Sequence, residues 1–181
     1  MRTSVTCLAI LVAAPLASAA TQTTKNQITG LLTWHAEQAG FRLSLQQLTP
    51  DNVTAMYESM GASPAVVTEI ASYCVFGTDA RNLAHEPVMY DVANWRALTP
   101  DGVEHKLQSK VDWLKIWKPL GVNYGFSIFP AAQTFQPGDW GEGFTTVKLP
   151  PLTKFNLIYT WSENGQTYKN QMDGLQCAPN S

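Results

Sequence analysis

The sequence predicts a mainly β chain of the α+β class, built as an immunoglobulin-like β-sandwich with a helical hairpin inserted after the first strand. Three observations carry that expectation. Short alternating runs separated by turn residues fill the chain from residue 88 to 177, two proline-led helix starts lie between 49 and 75, and a single alternating run precedes them. The two distant cysteines beyond the leader, Cys74 and Cys177, fit a covalent closure of such a domain.

The chain of 181 residues opens with Arg2, an apolar run over 5–16 and the small residues Ala17, Ser18, Ala19 and Ala20. That order reads as a signal peptide over 1–19, cleaved after Ala19 or Ala20. The apolar run is shorter than the roughly 20 residues of a membrane-spanning helix, so no transmembrane anchor is expected. Cys7 does not follow that run, which does not match a lipid-anchor motif. A periplasmic or secreted location follows. Residues 20–39 read as a flexible N-terminal segment, and 40–181 as a single β-sandwich domain.

In the first strand, 41–48, Phe41, Leu43 and Leu45 alternate with Arg42, Ser44 and Gln46. Thr49, Pro50 and Asp51 then start a helix, since Thr caps free amides and Pro at the first position sacrifices no needed donor. Val53, Met56, Tyr57 and Met60 follow at helical spacing, and Gly61 ends the run. Ser63 and Pro64 repeat the signal, with Val67, Ile70, Ala71 and Cys74 on one face. The helical insertion thus spans about 49–75, and the expected Cys74–Cys177 disulfide would tie its second helix to the end of the last strand.

Strands are expected at 88–98, 103–109, 124–129, 144–149, 155–161 and 166–177. Phe155, Leu157, Tyr159 and Trp161 alternate with polar or smaller residues and run into Asn164-Gly165, a strong hairpin signal. Residues 99–102, Thr-Pro-Asp-Gly, form a turn. Within 110–120, Trp113, Ile116, Trp117 and Leu120 favour a short helix over a strand.

Charged residues make up 14% of the chain and hydrophobic ones 45%, which excludes a disordered polymer. A formal net charge of −2 gives no electrostatic basis for binding nucleic acid. No phosphate loop, dinucleotide fingerprint, repeat or G-x-S-x-G elbow occurs, and the triplet Asn52-Val53-Thr54 lies within an expected helix. The chemistry-bearing residues then fall into three groups. Trp140, among Gly138, Gly141 and Gly143 in what reads as a glycine-rich loop, is the preferred exposed contact, with Trp34 and Trp117 beside it. His85-x-x-x-Met89, with His105, offers the imidazole and thioether ligands that suit copper. Asp139 and Glu142 are the nearest paired carboxylates for acid–base hydrolysis.

The leading expectation is an exported, non-enzymatic binding or accessory protein without a cofactor, presenting loop aromatics to a protein or glycan partner. A periplasmic copper-handling protein and a small secreted hydrolase are the alternatives.

Overall fold

The structure is a computed structural model that describes residues 20–123, 125 and 127–180. The expected signal peptide, 1–19, lies outside the described residues, as do Tyr124 and Phe126 of the strand expected at 124–129.

The chain is mostly antiparallel β-sheet with three α-helices, an α+β arrangement. Its first two strands, β1 (Gln22–Lys25) and β2 (Leu32–Gln38), occupy the segment expected to be flexible. Strand β2 forms because Trp34 and Ala36 reach the core while Thr33, His35 and Glu37 face outward. Strand β1 is polar and wholly exposed, as suits an edge strand. The helical hairpin therefore follows the third strand, β3 (Phe41–Leu48), and not the first.

Helix α1 (Pro50–Ser59) starts at Thr49 as the sequence indicates, with a capping box. The Asn52 amide donates to Thr49 Oγ1 at 3.2 Å, and the Thr49 amide donates to Asn52 Oδ1 at 3.3 Å. Helix α2 (Pro64–Ala71) is capped at Ser72, so Cys74 does not share its face. Cys74 is instead the first residue of β4 (Cys74–Asn82), a strand the sequence reading did not anticipate.

The expected strand at 88–98 is interrupted. It consists of β5 (Val88–Asp91), a 3₁₀ turn at Val92–Asn94 and β6 (Arg96–Leu98). Then come β7 (Glu104–Gln108), helix α3 (Lys110–Trp117), β8 (Ala132–Phe135), β9 (Trp140–Val147), β10 (Lys154–Glu163) and β11 (Gln166–Gln176). Helix α3 carries its own capping box from Ser109 and Asp112, in line with the helical reading of 110–120. Asn164 and Gly165 both take positive φ in the β10–β11 hairpin, the backbone of a two-residue turn. Within the range expected as a strand at 124–129, Ile128 makes an isolated parallel bridge to Phe144.

Pairing runs β1-β2-β3-β4-β9-β7-β6-β10-β11, with β5 and β6 as successive segments along one edge of β10 and β8 outside β5. Strand β7 joins the halves, pairing with β6 through Arg96–Lys106 and with β9 through Leu107–Val147. Inner faces of both halves share one aromatic core. Phe41 of β3 lies 5.3 Å from Trp161 of β10, and Phe76 of β4 lies 5.8 Å from Phe155, ring centre to ring centre. A second apolar cluster packs Val53, Tyr57, Ile70, Trp113 and Trp117 of the helices over Val75 and Phe144 on the opposite face of β4 and β9.

Cys74 and Cys177 are joined, with Cα atoms 5.3 Å apart across a sequence separation of 103. The bond fastens the start of β4 in one half of the sheet to the end of β11 in the other. The tie is therefore strand to strand, not helix to strand. Strand β9 begins at Trp140, four residues before the expected boundary, because its glycines face inward. A Cβ on Gly141 would lie 3.0 Å from the Phe135 ring, and one on Gly143 would lie 2.6 Å from the Phe129 amide.

Two outcomes follow for stability. Replacing both Cys74 and Cys177 with Ala should cost about 5 kcal/mol in urea unfolding, the loop-entropy value for a closure of this length. Gly143→Ala should cost about 2 kcal/mol or more by overpacking, while Gly77→Ala, with open space on the outer face, should stay within about 1 kcal/mol of wild type.

Candidate functional site

A β-strand sends successive side chains to opposite faces, so the residues of β2, β3, β4 and β9 that are not in the aromatic core form a second surface. Register arranges that surface in rows across the strands. The first row, Leu48, Val75 and Thr146, lies beneath the helices, where Trp113 Nε1 donates to Thr146 Oγ1 at 2.8 Å. Thr33, Gln46, Gly77 and Phe144 form the next. His35, Ser44, Asp79 and Glu142 form the third, and Glu37, Arg42, Arg81 and Trp140 the fourth.

The second and third rows floor an open cavity of about 620 Å³, walled on the helical side by Met56 and Ser127. Gly77 leaves its centre unobstructed, since a Cβ there would meet nothing within 4 Å. The wall is held by the Tyr57 and Ser127 hydroxyls, hydrogen-bonded at 2.8 Å, and by Tyr57 against Phe144. Burial pushes the Tyr57 phenol up to about 12, the Ser127 hydrogen bond opposing part of that rise.

Along the floor, His35 Nδ1 and Ser44 Oγ are 2.8 Å apart. Arg42 donates through Nε and Nη2 to Glu37 Oε2, at 3.0 and 2.9 Å. Arg81 donates through Nε to Asp79 Oδ1 at 3.0 Å, which holds its guanidinium further in the charged form. The Arg81 guanidinium carbon lies 5.9 Å from the centre of the Trp140 ring. Trp140 is 55% exposed, and the chain's five other indoles are buried.

The expected aromatic contacts thus separate. Trp140 stands on the strand face at the end of a polar row, not in a loop. Trp34 is buried in the main core against Phe76. Trp117 is buried between Tyr57 and Trp113 in the helical cluster. Neither offers a free ring to a partner. Their burial is not legible in the sequence, because isolated tryptophans carry no sign of which face they occupy until strand and helix phases are known.

Of the paired carboxylates, Asp139 closes its own turn by accepting from the Gln136 amide at 2.8 Å. Glu142 faces the cavity. For the copper ligands, His85 lies exposed in the turn after β4. Met89 pairs with Ser162 and Thr134 on the outer face of β10, whereas His105 pairs with core-facing Ala97 and sits 3.3 Å from Thr99 Oγ1. Met89 and His105 are therefore on opposite faces of the sheet. Among the described residues no group of three or more His, Cys, Asp or Glu side chains is placed to hold a metal ion. Among the same residues no helix is long and apolar enough to cross a membrane.

Sequence reasoning did not pick out Ser44, Asp79, Arg42 or Arg81 as site residues, nor group His35 with them. Alternation over 32–38 and 74–82 was the available signal, but the row itself exists only once β2, β3, β4 and β9 are in register.

No family model matches the chain, and no curated protein matches it. Five chains of solved structure do. One is a "putative lipoprotein (ycdA)" from Bacillus subtilis subsp. subtilis str. 168, at 8% identity and a TM-score of 0.40, over 87% of this chain and 39% of that one. This chain thus spans well under half of that neighbour's length, and a likeness at that identity and TM-score carries no argument about function.

Tyrosine burial sets an alkaline limit. Tyr57 and Tyr159 are both pushed up to about 12 by burial, against about 10 for an exposed phenol. Folding holds these groups neutral, so the stabilisation is complete below pH 10 and is lost as pH rises toward 12. Ultraviolet difference titration should show their ionisation only with loss of the folded circular-dichroism signal in that interval. Ionisation of every tyrosine near pH 10 with the fold intact would contradict the burial.

Proposed function

We propose that the chain is an exported, non-enzymatic carbohydrate-binding protein that holds a glycan on the outer face of β2, β3, β4 and β9, with a sugar ring stacked on Trp140. The observation that carries this reading is the position of Trp140. It is the exposed indole of the chain and stands in the row next to His35, Ser44, Asp79 and Glu142, which floor the cavity.

A sugar presents an apolar ring face with hydroxyls around its edge. An indole covers the first, and carboxylates, hydroxyls and imidazoles bond the second. A protein partner is less well served, because the buried centre of a protein interface is depleted in charge, and this outer face is crossed by Glu37, Arg42, Asp79 and Arg81. Binding is favoured over hydrolysis because Asp139 is engaged in its own turn, away from any pairing with Glu142. Nothing in the placement of His85, Met89 and His105 favours the copper alternative.

Export, to a periplasmic or secreted location, is supported by the leader-like sequence of 1–19 and by the Cys74–Cys177 bond, which persists in oxidising compartments. The immunoglobulin-like reading of the sandwich belongs to the same proposal. Its support is the disulfide fastening two sheet halves that share one core.

An immobilised oligosaccharide array probed with wild-type protein and Trp140→Ala tests the reading. Wild type should retain a defined set of glycans, and Trp140→Ala should lose about tenfold or more in affinity for them with its unfolding midpoint unchanged. An empty array, or glycan binding indifferent to Trp140→Ala, would overturn it.

A further inference from the structure

Among the residues beside Trp140, two arginines are placed as stability alone would not place them. Arg42 of β3 and Arg81 of β4 are direct cross-strand partners on the outer face. Like charges directly opposite one another are unfavourable in a sheet, with Cβ atoms only about 5 Å apart. Each is tied to a carboxylate lying away from the gap between them. Glu37 is one strand further out from Arg42, and Asp79 is two residues along β4 from Arg81.

The hydrogen-bonding inventory is asymmetric. Arg42 uses Nε and Nη2 on Glu37, leaving Nη1. Arg81 uses only Nε on Asp79. Among the described residues, both terminal nitrogens of Arg81 and one of Arg42 have donors left over, on adjacent strands and next to an exposed indole. Guanidinium groups are planar forks matched to carboxylate oxygens. Nothing needs to be broken for an anion to enter, because both ion pairs can persist while it takes the remaining donors.

We infer that the glycan held on this face is acidic, with a uronic-acid carboxylate received between Arg42 and Arg81 while its ring lies on Trp140. This rests on the carbohydrate-binding reading above and narrows it to a substrate class. Glu142, two residues from Trp140 on the same strand and therefore on the same face, accepts hydroxyl protons of the adjoining sugar. Its negative charge also sets the direction of the chain, since the carboxylate is favoured at the arginine row and opposed at the Glu142 row.

The test uses oligomers of galacturonic, glucuronic and mannuronic acid, each beside its methyl ester, which keeps the sugar and removes the charge. Binding is read by Trp140 fluorescence, with Trp140→Phe as the control that identifies the signal. At least one acid should bind about tenfold or more tightly than its ester, and added salt should weaken the acid selectively. Arg81→Gln should collapse the acid-to-ester ratio toward one, and Arg42→Gln should lower it by a smaller factor.

Equal binding of acid and ester, or ester binding alone, overturns this inference while leaving the carbohydrate reading intact. Silence from every acid and ester also overturns the inference, and an array positive for neutral glycans would then keep the broader reading alive. Preference for the acid that survives Arg81→Gln in combination with Arg42→Gln refutes the placement of the carboxylate.

Discussion

Strand β4 is the member on which both surfaces of this protein depend, and the Cys74–Cys177 bond is what anchors it. Its inward residues Phe76, Thr78 and Ala80 face the main core, and its outward residues run from Val75 under the helices to Gly77, Asp79 and Arg81 on the open face. A slip of one residue in β4 would exchange those two sets, burying Asp79 and Arg81 and exposing Phe76. The covalent tie at its first residue acts against such a slip from one end, and the antiparallel pairing with β3 and β9 acts along its length. Because the tie reaches β11, in the other half of the sheet, it also holds the two inner faces against each other.

Strand β9 solves a related packing problem. Its start reads Trp140, Gly141, Glu142, Gly143, Phe144, an alternation of large and absent side chains. The glycines face inward, where the Phe135 ring and the Phe129 backbone already occupy the space a Cβ would need. The large residues are consequently all directed outward. Close approach of the core to the sheet on one side is thus the reason that a tryptophan, a carboxylate and a phenylalanine stand in line on the other.

Much of the architecture was legible where local chemistry specifies it. The helix starts at Thr49 and Ser63, and the Asn164-Gly165 turn, need no knowledge of distant residues. Strand β2 is hard to read from the sequence although Trp34 and Ala36 alternate with His35 and Glu37, because residues 21–30 before it are polar and the turn after it places Ala39 at positive φ, which alanine does not advertise. The glycines of β9 read as loop residues, since a glycine that relieves crowding and a glycine that permits a turn look alike in sequence. Cys74 reads as part of a helix face because its spacing from Ile70 and Ala71 continues the helical period, and nothing local reveals that the helix stops at Ala71. The row His35, Ser44, Asp79 and Glu142 was beyond reach for a stronger reason. Its members come from four strands, and only the register between them makes them neighbours.

The boundary between scaffold and site follows the reach of the helices. Where α1, α2 and α3 cover the outer face, the residues beneath include Leu48, Val75 and Phe144, and they join the second apolar cluster. Beyond that cover the same strands present Ser44, Asp79, Arg81 and Glu142. Exposed ion pairs such as Arg42–Glu37 and Arg81–Asp79 contribute little to folding, and opposed arginines contribute against it. A face maintained solely for stability and solubility would have mixed charges without an exposed indole beside them. On the proposed carbohydrate-binding reading, the arrangement around Trp140 serves a ligand instead of the fold, and the unused guanidinium donors match an acidic group on it.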